Sequence, residues 1–240
     1  PMRDLLGPQL LHAVVNASAR SSEPRRPGLL LAHRLSPDGD AFDIAVHRHG
    51  GRAFVEFEPA ASGRDAEGPM EIARALIARV QSASSLDALV AQAPRYLRGM
   101  LGYDRVMVYR FAEDSSGKVV GEARRGDLEP FLGTHFPAAD IPQQARALYV
   151  LNTIRVIADS SGPRAPLQPE ANEWTDPSDL SHAHLRSVSP IHLEYLRNMG
   201  VAASMSVSIV VGGTLWGLIA CHHYAPRVLG MAQRVAAELF

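Results

Sequence analysis

The sequence feature that most limits the fold is a hairpin pattern near the C-terminus, SMSVSIVV-GG-TLWGLIACHH. Both halves are rich in β-branched and apolar residues, and a Gly-Gly pair is typical of a two-residue hairpin turn. A hairpin of this kind is stable only when further strands or helices cover its apolar side. The pattern therefore predicts an antiparallel sheet at the centre of the fold.

Strand and helix patterns before the hairpin predict an α+β fold, with an antiparallel sheet flanked by helices. Ser85 is a predicted helix N-cap and Gly102 a predicted helix stop. The helical patterns are residues 1–16, PMEIARALIARVQSA, SLDALVAQAPRYLRGMLG and DIPQQARALYVLN. The strand patterns are GLLLAHRL, AFDIAVHRH, RAFVEFEP, DRVMVYRFA, KVVGEARR and IRVIAD.

Two polar stretches divide the chain. Residues 60–69 are the predicted linker, which gives predicted domains of residues 1–60 and 61–240. Residues 160–181 are rich in proline and serine and are predicted to form a long functional or mobile loop.

In RAFVEFEP, alternation places Val55 and Phe57 on an apolar face and Glu56 and Glu58 on a charged face.

The composition excludes several classes of function. A net charge of −1 without basic runs gives no reason to expect nucleic-acid or membrane binding. Cys221 is the only cysteine, so no intrachain disulfide forms and a cytoplasmic location is expected. The chain starts abruptly and ends inside a helical pattern, as expected of a fragment.

A histidine lies on the apolar side of a predicted helix in SPIHLEYLRNMG, which Pro190 begins and Gly200 ends. His192, Tyr195, Leu196 and Met199 share one helix face by their spacing. The imidazole is either a core histidine satisfied by one hydrogen bond or part of a binding site. This segment alone leaves both interpretations open.

Three serines at positions 204, 206 and 208 share one face of the first hairpin strand. That face is either wet or lined by small hydroxyl groups that leave room for a ligand. With a two-residue turn, Ser206 opposes Ile219, and His222 then lies on the other face from the serines. A bulge would bring His222 to the serine side, and the sequence does not decide between the two.

Other polar residues allow two interpretations each. Asp140, in FPAADIP, is placed either to cap the following helix or to bind a ligand. Arg155 and Arg186 are either solvated or ready to bind carboxylates. Cys221, His222 and His223 suggest metal binding or thiol catalysis, but neighbouring residues on a strand point to opposite faces.

Four motifs together resemble the chromophore-binding GAF domain of bacterial phytochromes, in order and in spacing, over about residues 67–240. They are GYDRVMVYRF, FPAADIPQQARALY, LRSVSPIHLEYLRNMGV and VVGGTLWGLIACHHYAPR. The segment ending in VEFEP resembles the second half of the PAS domain that precedes such a GAF domain. The resemblance implies that the chain binds a linear tetrapyrrole, biliverdin IXα, which red and far-red light isomerises about its C–D ring bridge.

The resemblance also implies a role for individual residues. His192 would contact the central ring nitrogens through an ordered water, with Asp140 nearby, and His222 would bond the D-ring carbonyl. The residues implied to bind the propionates are Arg155, Arg186, Tyr149, Ser204 and Ser206. Those implied to wall the D-ring or stack on the pigment are Tyr109, Phe136, Tyr195, Met199, Ile141 and Pro142, with Ser189 also in the pocket.

The sequence departs from the family pattern in two places. Ile191 replaces the attachment cysteine of plant-type members, and Ala139 replaces the usual serine of the DIP motif. Bacterial members attach the pigment through a cysteine ahead of the PAS domain, outside this chain, so Cys221 is not expected to be the attachment point.

The resemblance further implies partners. We expect a non-catalytic photosensory module that acts through a PHY domain and a histidine-kinase-type output domain, as a homodimer. The alternative is a GAF domain for a small metabolite or a cyclic nucleotide, which would need a phosphate pocket.

Overall fold

The structure, a computed structural model, describes residues 2–60 except 22, 25 and 37, then residues 69–168 and 178–239. The chain divides into two compact units. Residues 61–68 of the predicted linker lie outside the described residues, and the proposed domain boundary at residue 60 stays a prediction. Among the described helices, none has the length and hydropathy needed to cross a membrane.

The first unit comprises residues 1–67, 164–187 and 230–232. A three-stranded antiparallel sheet, in the order β1-β2-β3, packs against helix α1. Its elements are α1 (Met2–Arg20), β1 (Gly28–Arg34), β2 (Ala41–His49) and β3 (Arg52–Pro59). Leu10 and Val14 of α1 pack on Ile44 and Val46 of β2 in its core. The three predicted strands are confirmed almost to the residue.

The face of β3 that carries Glu56 is more buried than the sequence predicts. Glu56 was placed on a charged face, yet it is only 9% exposed. The backbone N–H of Leu185 donates to Glu56 Oε2 at 2.7 Å, and Phe54 stacks on His47 with ring centres 4.9 Å apart. The segment around Leu185 is distant in sequence, so alternation within β3 does not reveal that it buries this carboxylate.

The second unit comprises residues 68–163, 188–229 and 233–240. Six antiparallel strands form its sheet in the order β6-β5-β4-β9-β8-β7. The strands are β4 (Arg105–Phe111), β5 (Gly117–Arg124), β6 (His135–Phe136), β7 (Ile154–Ile157), β8 (Ala203–Val211) and β9 (Thr214–His223). The helices are α2 (Pro69–Gln81), α3 (Leu86–Leu101), α4 (Gln143–Leu151), α5 (Pro190–Asn198) and most of α6 (Met231–Leu239), with a 3-10 turn at Ala138–Asp140. The predicted α+β fold is confirmed.

Helix α3 begins and ends where the sequence predicts. Ser85 Oγ accepts a hydrogen bond from the N–H of Ala88 at 3.1 Å. Gly102 has φ +67°, and its N–H donates to the carbonyl of Arg98 at 2.9 Å. Both groups satisfy backbone atoms that a helix end leaves without partners.

The two faces of the six-stranded sheet have different roles. One, the core face, packs against Leu97 and Leu101 of α3. Its buried strand residues are Val106, Val108, Met205, Val207, Ile219 and Cys221. The opposite face, which we call the site face, carries the residues that alternate with these along the strands.

An irregularity in the last hairpin decides which residues share the site face. Val210 pairs with Leu215, but Ile209 pairs with Gly217, so the register shifts by one residue between the two pairs. Beyond this bulge Ser204 pairs with His222. Residues directly opposite each other in an antiparallel pair project to the same face, so the bulge places His222 with the serines.

The close approach of α3 to β5 gives a test of the packing. A methyl group at Gly121 would lie 2.1 Å from the carbonyl oxygen of Val90 in α3. Because neither backbone can move cheaply, we expect Gly121→Ala to lower the free energy of unfolding by roughly 1–3 kcal/mol in urea denaturation. The control is Gly99→Ala on exposed α3 surface, where nothing lies within 4 Å. An equal loss of stability in both variants would contradict the packing described here.

Candidate functional site

The serines of the site face are buried. Ser204, Ser206 and His222 are each 8% exposed, and α4 packs across β8 and β9. The Ser208 hydroxyl donates to the carbonyl of Tyr149 in α4 at 2.7 Å. The wet-face interpretation is therefore wrong for Ser204 and Ser206.

His222 is a buried imidazole surrounded by other polar groups. It lies directly between Ser204 of β8 and Arg105 of β4 in the sheet register. Burial, then the charges of Arg105 and His192, lower the pKa of His222 to about 4. Its Nδ1 atom is buried and has no hydrogen-bond partner among the described residues. Such an atom is suited to a polar group of a ligand.

Helix α5 brings a second imidazole to this site. Pro190 is at its start and Gly200, with φ +70°, follows its end, as predicted. His192 and Tyr195 lie side by side on the helix with ring centres 6.4 Å apart. Burial and the nearby charge of Arg155 lower the pKa of His192. His192 therefore belongs to the polar site rather than to an apolar core.

The predicted apolar face of α5 divides in two. Leu196 is buried with Ile157 and Val201, and Met199 packs against the same cluster. His192 and Tyr195 belong instead to the polar site. The structure thus places Met199 in a local core, and its role in walling a pigment ring stays a prediction.

Asp140 lies opposite the tyrosines of the site. The Tyr195 hydroxyl donates to its Oδ2 at 3.4 Å. Burial and the negative charge of Asp140 raise the pKa of both Tyr109 and Tyr195 to about 12. Helix α4 begins after Pro142 without a side-chain cap, so the capping interpretation of Asp140 is wrong. The intervening Ile141 and Pro142 move the helix start beyond its reach.

Arg155 of β7 is the guanidinium group of this unit that the sequence singled out. It pairs with Ser206 in the sheet register, so both side chains point to the site face. Burial lowers the pKa of Arg155, and the nearby Tyr149 partly offsets this shift. Its Nε is buried and has no hydrogen-bond partner among the described residues.

An aromatic cluster adjoins the polar residues on the site face. The ring of Tyr109 lies 5.9 Å from that of Phe136 and 5.2 Å from that of Phe111. Ile141 and Tyr149 pack against the same cluster. Pro142 and Ser189 are exposed, at the starts of α4 and α5.

Arg186 belongs to the first unit. It is half-buried, and its Nη1 donates to the carbonyl of Ala183 at 3.0 Å. Its implied role in propionate binding stays a prediction.

The thiol or metal interpretation is contradicted by geometry. Cys221 is fully buried on the core face, which raises the pKa of its thiol, whereas His222 points to the site face. His223 Nδ1 lies 2.9 Å from Asp104 Oδ2. Within the described residues, no three His, Cys, Asp or Glu side chains are grouped to hold a metal ion.

The sequence interpretation missed two charged residues of the site face, Arg105 and Glu122, and the aromatic Phe131. Arg105 is 1% exposed and forms a buried ion pair with Glu122. One signal was available: Arg105 alternates with Met107 and Tyr109 in RVMVYRF, so it had to share their face.

Comparisons with known proteins identify relatives of this chain. The profile of the family described as "GAF domain" matches residues 85–239. A bacteriophytochrome of Pseudomonas aeruginosa is 47% identical over 83% of this chain and 28% of the relative. One of Xanthomonas campestris is 44% identical over 84% of this chain and 32% of the relative. The chain thus spans less than a third of these relatives.

Solved structures agree in fold. The chromophore-binding domain of a Stigmatella aurantiaca bacteriophytochrome variant is 38% identical, with a TM-score of 0.84. The match covers 99% of this chain and 79% of that one. The photosensory core module of Stigmatella aurantiaca phytochrome gives 37% identity and a TM-score of 0.85, over 99% and 48% of the two chains.

The phenols near Asp140 give a test of the site electrostatics. Asp140→Asn removes a negative charge that disfavours the phenolate form. We expect the pKa of Tyr109 and of Tyr195 to fall from about 12, by up to roughly one unit, because burial still acts. Tyrosine NMR titration measures this, and Asp114→Asn in an exposed turn is the control. Unchanged tyrosines in Asp140→Asn would refute the assignment.

The position of Tyr109 depends on a glycine in the next strand. A methyl group at Gly117 would lie 1.8 Å from the Tyr109 ring. Gly117→Ala should therefore push the phenol away from Phe136, which weakens the ring-to-ring NOE between them. Gly126→Ala, where nothing lies within 4 Å, should leave this NOE intact. A preserved NOE in Gly117→Ala would show that the ring is not held by this contact.

Proposed function

The chain belongs to the GAF family and, within it, to the phytochromes, and we propose that it is a light-sensing module that binds a linear tetrapyrrole. The pigment proposed is biliverdin, isomerised about its C–D ring bridge by red and far-red light. The chain itself is proposed to be non-catalytic. Its residues bind and orient the pigment and exclude water.

One observation carries the proposal: two polar atoms of the site face are buried without partners. His222 Nδ1 and Arg155 Nε both lack hydrogen-bond partners among the described residues. His192 links them electrostatically, because the charge of Arg155 acts on His192 and that of His192 acts on His222. Buried polar groups are costly unless a partner satisfies them. A ligand with both carboxylate and carbonyl oxygens would satisfy them.

The residues present fit a dianionic open-chain tetrapyrrole. Arg155, Ser204 and Ser206 would hold one propionate, since a guanidinium with small hydroxyls suits a carboxylate. A role for Arg186 in binding the other propionate is implied by the family resemblance alone. His222 would bond the D-ring carbonyl and His192 would face the central nitrogens.

The apolar side of the site fits the same pigment. Tyr109 and Phe136 lie together in the aromatic cluster, which offers flat surfaces for a terminal ring. Asp140, held by Tyr195, would supply a negative charge near protonated pyrrole nitrogens.

The wider setting is part of the proposal. We propose that the full protein continues into a PHY domain and a histidine-kinase-type output domain, acts as a homodimer and lies in the cytosol. Covalent attachment would use a cysteine ahead of the PAS domain.

The cyclic-nucleotide alternative receives no specific support from the described residues, and the relatives named above favour the pigment.

Spectroscopy tests the proposal directly. Adding biliverdin to the pigment-free chain should give a strong absorbance band in the red to far-red. Cyclic nucleotides should give no heat of binding in calorimetry. A spectrum without a red band, or heat with a cyclic nucleotide instead, would defeat the pigment proposal.

Arg155 gives a sharper version of the same test. Arg155→Met removes a cation facing a carboxylate, so the Kd for biliverdin should rise about tenfold or more. The Kd for biliverdin dimethyl ester, which lacks both charges, should change much less. Arg110→Met, exposed beside Trp216, is the control. Equal losses for acid and ester would rule out a carboxylate role for Arg155.

A further inference from the structure

A buried ion pair crosses the site face beside His222. Arg105 Nη1 pairs with Glu122 Oε1, and Arg105 Nη2 donates to the carbonyl of Glu129 at 2.7 Å. Burying two charges is costly, and further hydrogen bonds offset part of that cost, although Arg105 Nε is buried without a partner among the described residues. This pair therefore joins β4 and β5 to the segment that precedes β6.

Glu122 also holds an aromatic side chain in place. Its carboxylate accepts from the N–H groups of Phe131 and Leu132, each at 3.0 Å. The guanidinium of Arg105 lies 4.0 Å from the centre of the Phe131 ring, within the range of a cation–π contact. Phe131 in turn contacts Phe136 edge-on, with ring centres 6.2 Å apart.

Arg105 acts on His222 as well. The two residues are directly opposite each other in β4 and β9, so their side chains share the site face. The groups that face His222 are Arg105 from β4, Ser204 from β8 and His192 from α5. A fixed positive charge beside a buried imidazole opposes its protonation.

We propose that Arg105 and Glu122 are a positioning pair for the end ring of the pigment: Glu122 fixes Phe131 and thereby Phe136, and Arg105 places a fixed positive charge opposite His222. The proposal rests on the proposed function, since it assigns these residues to the terminal ring. A neutral imidazole retains one N–H donor and one acceptor nitrogen. It can therefore donate to a carbonyl without placing a second cation beside Arg105.

The test is a pair of substitutions with opposite expected effects. In the pigment-free chain, Arg105→Gln removes the positive charge and leaves Glu122, so the pKa of His222 should rise by about one unit, a tenfold gain in proton affinity. Glu122→Gln leaves Arg105 unopposed, so the pKa of His222 should stay at or below that of the parent. Histidine side-chain NMR titration measures both.

Opposite directions separate the proposal from a general structural role. If the pair only supported packing, both variants would admit water and raise the pKa of His222 towards its ordinary value, and this outcome would overturn the proposal. Arg110→Gln, an exposed change on the same strand, should leave His222 unchanged. If Arg105→Gln does not fold, Arg105→Lys takes its place. This variant keeps the charge, so the pKa of His222 should stay at the parent value while the NOE between Phe131 and Phe136 weakens. A raised pKa in Arg105→Lys would also overturn the proposal.

A second measurement distinguishes this proposal from the pigment proposal. With biliverdin, Glu122→Gln should keep the red band but broaden it, because the aromatic wall loosens. A parent chain without a red band would defeat the proposed function, even where the pigment-free titrations diverge as expected. A parent with a red band, together with titrations that shift in the same direction, would defeat the positioning pair alone.

Discussion

The site depends on one register shift in the last hairpin of the sheet. Between Ile209 and Val210 the pairing moves by one residue, and every residue of β9 after that point changes face relative to a regular hairpin. His222 thereby joins Ser204, while Cys221 faces the core. A regular pairing would put the thiol among the serines and the imidazole among the core residues, and no polar site would form there.

Burial of charged and titratable groups then sets the chemistry of the site face. The imidazoles of His192 and His222 are buried and lie near guanidinium groups, so their protonated forms are disfavoured. The phenols of Tyr109 and Tyr195 are partly buried and lie near Asp140, so their phenolate forms are disfavoured as well. At neutral pH these side chains are therefore neutral hydrogen-bonding groups between fixed charges. Such an arrangement is preorganised for a ligand with separated carboxylate, carbonyl and pyrrole groups.

Sequence reasoning succeeded where a pattern is local. Ser85 and Gly102 delimit α3 as predicted because caps depend on a few neighbouring residues. It failed where burial comes from distant segments. Glu56 was expected on a charged face but meets Leu185. For Asp140 the sequence left capping and ligand binding open, and only the structure, in which Asp140 accepts from Tyr195, rules out capping. The family resemblance named His192 and His222, yet it did not indicate the ion pair beside them.

The sequence by itself determined the helices, the strands, their turns and the family, because periodicity, caps and motifs are written in contiguous residues. It also fixed which side chains alternate along each strand. Only the tertiary structure decided which alternating set faces the site, since the bulge near Ile209 depends on how two strands pair. It also decided that Arg105 and Glu122 meet, and that Ser204 and Ser206 are buried. These outcomes arise from contacts between segments far apart in the chain, which no local pattern encodes.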